Sequence, residues 1–110
     1  MMETILVVDD EKNYTAVLRA VLEEEGFETF IANSGAEALE MLDHEDIQLV
    51  ITDMKMPGMD GLALLEKIKQ RTPDLPVIIM TAHGTVDKAV EAMQKGAYTF
   101  ILKQIGRAHV

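Results

Sequence analysis

Short runs of Ile, Leu and Val recur five times along this chain of 110 residues, and between them lie longer stretches whose apolar residues keep a helical period. Strands buried on both faces of a parallel sheet read as unbroken hydrophobic runs, and the helices that connect them each carry one apolar stripe. The alternation therefore predicts an α/β domain with helices on a parallel sheet. Strands are expected near Thr4 to Val8, Glu28 to Ala32, Gln48 to Thr52, Pro76 to Met80 and Tyr98 to Leu102.

The intervening segments read as four helices. Tyr14, Val17, Leu18, Val21 and Leu22 give the first an apolar face, and Gly26 is placed to end it. Ser34 with Glu37 resembles a capping box opening the second, which runs through Leu39 and Leu42. Gly61 precedes a third, with Leu62, Leu65 and Ile68 facing inward, and Thr85 caps a fourth carrying Val86, Ala89, Val90 and Met93 before Gly96 stops it.

Length and composition narrow the function. A chain of 110 residues fits one domain with a single core, 48% hydrophobic and largely aliphatic, since only 5% is aromatic. A formal charge of -9 argues against direct nucleic-acid binding, which needs clustered Lys and Arg. The absence of cysteine excludes disulfides and thiolate metal sites. No apolar run is long enough to span a membrane and no signal peptide is visible, so a soluble, cytoplasmic protein is expected.

Chemistry collects where the runs stop. Asp9 and Asp10 follow Ile5-Leu6-Val7-Val8, Asp53 follows Leu49-Val50-Ile51-Thr52, and Thr81 and Lys103 close the last two runs. In an open parallel sheet the carboxyl ends of neighbouring strands form the ligand crevice. Carboxylates crowded there repel one another, and a hard divalent cation such as Mg2+ removes the conflict. Asp9, Asp10 and Asp53 are the expected ligands, joined by the backbone carbonyl of Lys55. Asp53 precedes a Pro57-Gly58 turn that leaves it at the sheet's tip, where a carboxylate can attack phosphorus. Thr81 and Lys103 offer a hydroxyl and a positive charge for phosphoryl oxygens. Singly, an Asp-Asp pair is more often a solvated turn or helix cap, and a strand-end Thr a cap; their joint placement carries the reading.

Those residues, in the segments Ile5 to Glu11, Val50 to Gly61, Met80-Thr81-Ala82 and Lys103, resemble the receiver domain of two-component response regulators. The resemblance implies a flavodoxin-like, doubly wound, five-stranded parallel sheet of order 2-1-3-4-5. It also implies that Asp53 accepts a phosphoryl group from a sensor histidine kinase or phosphotransfer protein. Asp9 and Asp10 would bind Mg2+ with Asp53, Thr81 would move toward the phosphoryl group, Lys103 would pair with it, and Phe100 would be the aromatic switch residue. Lys55 and His83 match positions that tune phosphoryl lifetime. The segments Met80 to Val86 and Gly96 to Phe100 are similar to nitrogen-regulator receivers, which control transcription with the alternative sigma factor. Such a domain is a switch with slow autodephosphorylation rather than a turnover enzyme, and a dimer through the fourth helix and fifth strand is expected.

Receivers continue past the lysine with a proline and a fifth helix, whereas this chain reads Gln104-Ile105-Gly106-Arg107-Ala108-His109-Val110. Ile105 to Val110 matches the translation of a widely used sequencing adapter, so 104–110 is expected to be a non-native tail on a receiver, 1–103, lacking its fifth helix. Loss of the proline is expected to disturb the placement of Lys103, and the truncation to compromise the dimer face. Three other readings fit less well. A haloacid-dehalogenase-like phosphatase would open an Asp-x-Asp signature on the first strand, where this chain has Asp9-Asp10. A pseudo-receiver that binds without phosphorylation commonly lacks one of the acidic or Lys positions, and a flavodoxin-like electron carrier needs a Ser/Thr-rich loop after the first strand.

Overall fold

The computed structural model describes residues 3–82 and 85–103. His83 and the tail 104–110 lie outside the described residues, and with them the expectation that His83 tunes phosphoryl lifetime and that of a non-native terminus. Five strands, β1 (Thr4–Val8), β2 (Glu28–Ala32), β3 (Leu49–Asp53), β4 (Val77–Thr81) and β5 (Thr99–Leu102), alternate with four helices. These are α1 (Lys12–Glu24), α2 (Gly35–His44), α3 (Gly61–Arg71) and α4 (Val86–Gln94). All strand pairs are parallel and the order is β2-β1-β3-β4-β5, the expected doubly wound sheet.

Three strands start one residue later than expected, each for a local reason. Gln48 leads into β3 by bonding both ways with Thr4: its backbone N–H reaches the Thr4 carbonyl at 2.9 Å, and its side-chain oxygen accepts from the Thr4 N–H at 2.7 Å. Pro76 has no N–H to give, and offers only its carbonyl to Val50. Tyr98 enters β5 through one bond to the Val77 carbonyl at 2.7 Å.

The two faces of the sheet are covered differently. Leu6, Val8, Val50, Val77 and Ile79 pack beneath Ala38 of α2, Leu62, Leu65 and Ile68 of α3, and Ala92 of α4. Ile5, Val7, Ile51 and Met80 pack beneath Tyr14, Leu18 and Leu22 of α1. The α3 stripe is as expected. In α1 the stripe is narrower, because Val17 and Val21 lie round its flank at 62% and 50% exposure and Thr15 is buried instead. In α4 the expected stripe is turned outward: Val86 (78% exposed), Val90 and Met93 face away while Ala92 is buried, so the helix seats its smallest residues on the sheet.

The helix ends follow the sequence signals. Ser34, Asp60 and Thr85 accept N-cap bonds from Glu37, Ala63 and Lys88. The second half of the α2 box reaches one residue further back than expected, with Glu37 Oε1 accepting from the Asn33 N–H at 2.7 Å. Gly26, at φ 96°, closes α1 with its N–H on the Glu23 carbonyl and that of Phe27 on Leu22.

Candidate functional site

Strand order reverses between β1 and β3, so their carboxyl ends diverge into a crevice at the topological switch point. Asp9, one residue past β1, is fully buried and fixed from three sides. Its N–H donates to the Ala32 carbonyl at 3.1 Å, its carbonyl accepts from Asn33 Nδ2 at 3.0 Å, and Oδ1 accepts from the Glu11 N–H at 3.0 Å. Asp10 beside it is exposed. Asp53 ends β3 and is buried, with the next N–H, that of Met54, bonded to the Met80 carbonyl at 2.8 Å.

Carboxylate oxygens of Asp9, Asp10 and Asp53 all lie within 4.8 Å of one another. Burial pushes the Asp53 carboxyl above its usual range, the Asp9 charge adds to the rise, and Lys103 only partly offsets it. The donor set is all oxygen, as a hard cation requires, and the buried Asp9 Oδ2 already meets a positive charge, the Lys103 ammonium. These residues fit a magnesium site.

Lys103, just past β5, reaches the same place. Its N–H donates to the Thr81 carbonyl at 2.8 Å, which ties the ends of β4 and β5 together. Its side chain is 6% exposed, with Nζ 2.7 Å from Asp9 Oδ2, 3.3 Å from Glu11 Oε1 and 3.4 Å from Asp53 Oδ1. Burial lowers the ammonium pKa, but Asp9, Asp53 and Glu11 outweigh it and hold the group above the ordinary lysine value. The expected disturbance of Lys103 is therefore not seen in its side chain. Thr81, the last residue of β4, is buried. Lys55 is exposed in the β3–α3 connection, and Phe100 is half-buried against the core under α4.

Three contributors were not singled out from sequence. Glu11 and Asn33 hold Asp9, as described, and Tyr14 places its ring centroid 4.5 Å from Lys103 Nζ. Tyr14 carries the one signal that pointed here, an aromatic ring on the core stripe one turn beyond the acidic pair.

An acidic triad, a buried ammonium and a buried strand-end threonine at this switch point define a receiver site, and the chain belongs to the response regulator receiver domain family, whose model matches residues 5–110. It is 48% identical over 99 residues to the DNA-binding transcriptional regulator NtrC of Escherichia coli K12, covering 90% of this chain and 21% of that protein. Over 101 residues it is 43% identical to the transcriptional regulatory protein ZraR of the same organism, covering 92% and 23%. The chain thus spans about a fifth of the length of these curated relatives. Among solved structures, the beryllofluoride-activated NtrC4 receiver domain dimer superposes with a TM-score of 0.88 at 42% identity, covering 93% of this chain and 84% of that one. No helix among the described residues is long and apolar enough to cross a membrane.

Proposed function

We propose that this receiver is phosphorylated on Asp53 and switches an output, in its relatives' manner transcription. The observation that carries the reading is the meeting of Asp9, Asp10, Asp53 and Lys103 around one carboxylate at the tip of β3. An Asp53 carboxylate oxygen attacks the phosphorus of a phosphohistidine, forming an O–P bond. The P–N bond breaks, and the imidazole nitrogen keeps the electron pair and takes up a proton. Asp9, Asp10, Asp53 and the Lys55 carbonyl would hold Mg2+, which supplies positive charge against the phosphoryl oxygens when bound. Lys103 gives up its pairing with Asp53 for one of those oxygens, and the Thr81 hydroxyl donates to another.

The new charge and acceptors at the strand ends then draw on Thr81 at the end of β4 and, beside it in the sheet, on β5 with Phe100. The face that responds is that of α4 and β5, where Val90, Met93, Ile101 and Leu102 are exposed. A dimer through that face, a histidine kinase or phosphotransfer protein as donor, and a cytoplasmic location complete the reading. Slow autodephosphorylation returns the domain to its starting state. A receiver of residues 1–103 with a non-native tail over 104–110 belongs to the same proposal, on the ground that Gln104 follows Lys103 where the family has a proline.

Incubation with a small acyl-phosphate donor and Mg2+ tests the assignment. One phosphoryl group per chain, labile to alkali, is expected on the native sequence and none on Asp53→Asn. Undiminished labelling of that variant would overturn it.

A further inference from the structure

The geometry points to Tyr14 as a positioning residue for Lys103, its ring walling in the ammonium that the phosphoryl group is to meet; this rests on the phosphoacceptor reading above. Lys103 Nζ has charged partners in Asp9, Glu11 and Asp53, and the Tyr14 ring faces it as well, with the centroid 4.5 Å away. An ammonium over a ring face at that range is attracted by the ring quadrupole, more so when water is excluded, and the lysine side chain here is 6% exposed.

The ring is itself held. Tyr14 lies in the first turn of α1, on the stripe packed against Ile5, Val7, Ile51 and Met80. Its hydroxyl donates to Met80 Sδ at 3.5 Å, in the residue before Thr81. It is thus anchored to the sheet at its tip while its face meets the ammonium. Lysine has a long flexible stem and a compact point charge, so its ammonium takes its place from what surrounds it. Of these surroundings, Asp9 and Asp53 are to turn to a cation and a phosphoryl group. Tyr14 is the neutral contact that persists through that exchange. An aliphatic residue at 14 would fill the volume without attracting the charge, whereas phenylalanine would keep the attraction and lose only the hydroxyl contact.

The test compares the full chain with Tyr14→Phe and Tyr14→Leu, reading the initial rate of labelling by a small acyl-phosphate donor at saturating Mg2+. Tyr14→Leu is expected to label about three- to ten-fold more slowly and Tyr14→Phe within about two-fold of the native rate. The magnesium concentration for half-maximal rate should be unchanged in both. The Lys103 ε-methylene protons should show an upfield ring-current shift in the native protein and in Tyr14→Phe, lost in Tyr14→Leu. Native labelling by Tyr14→Leu, equal slowing of Tyr14→Phe, or an unshifted Lys103 resonance in the native protein would each overturn the proposal. Should Tyr14→Leu not fold, the ring-current shift in the native protein and Tyr14→Phe decides. A native chain that does not label brings down the phosphoacceptor reading instead, and the same shift still reports whether Tyr14 holds Lys103.

Discussion

Gly61 approaches Asp53 so closely that a Cβ on it would lie 2.3 Å from the Asp53 carbonyl oxygen and 2.8 Å from the Met54 Cα. The first residue of α3 is pinned there by its own N–H, 2.7 Å from the Met54 carbonyl. The start of the helix and the tip of β3 thus form one unit. Because both obstructing atoms are backbone, neither can rotate aside.

Gly61→Ala must therefore displace the strand end that carries Asp53. A loss of about 3 kcal/mol in stability is expected, at the upper end of overpacking effects, with labelling of Asp53 slowed as well. Urea unfolding checks the first and donor labelling the second. An alanine variant with the native urea midpoint would show that the β3–α3 junction relaxes freely.

The raised Asp53 carboxyl sets a dependence on pH. A carboxyl whose folded pKa lies above its unfolded one binds protons more readily when folded, so the cost it imposes appears as pH rises from the unfolded value through the folded one. Below that window the group is neutral in both states and the cost vanishes. Asp53→Asn, neutral throughout, is expected to melt a few degrees above the native chain at pH 7 without divalent cations. The gap should close as the pH falls through the window. Thermal melts in a chelating buffer from pH 7 down to the acid range measure it, and a gap independent of pH would contradict it.

The sheet and the gathering of Asp9, Asp10, Asp53 and Lys103 at its tip were legible because each rests on local chemistry: an aliphatic run makes a buried strand, and the polar residue ending it stands at the strand tip. Which helix residues meet the sheet was less so. Val17 and Val21 satisfy the α1 period as well as Leu18 and Leu22 do, and only the pose of the helix leaves them outside. In α4 the small Ala92 sits inward and the larger Val86 outward, opposite to what hydrophobicity suggests. The pairing of Lys103 with Glu11, 92 positions apart, exists only once β1 and β5 have taken their places in the sheet.

Lys103 also competes for the carboxylates that would hold magnesium. Lys103→Met keeps most of the apolar stem but leaves Asp9 Oδ2 without the ammonium 2.7 Å away. Breaking a buried pair from one side strands the other charge, so the cation-free variant should lose about 3 kcal/mol. Added Mg2+ should then raise its melting temperature by more than it raises that of the native chain, since no ammonium opposes the cation. Equal magnesium-induced shifts would mean that Lys103 and the cation do not share these oxygens.

The narrow stripe on α1 can be tested by residues one position apart. Leu18 packs against the core beneath α1, and its truncation to alanine removes apolar contact that the neighbouring strands cannot replace. Val17, although it fits the same helical period, is 62% exposed. Alanine there gains helix propensity, because the β-branched valine loses side-chain freedom in a helix. Leu18→Ala should cost about 2 kcal/mol, at the low end for a core truncation because the side chain is only half-buried. Val17→Ala should stay within about 0.5 kcal/mol of the native chain. Urea denaturation of both variants gives the comparison, and a Val17→Ala loss matching that of Leu18→Ala would mean that α1 lies on the sheet by its wider face.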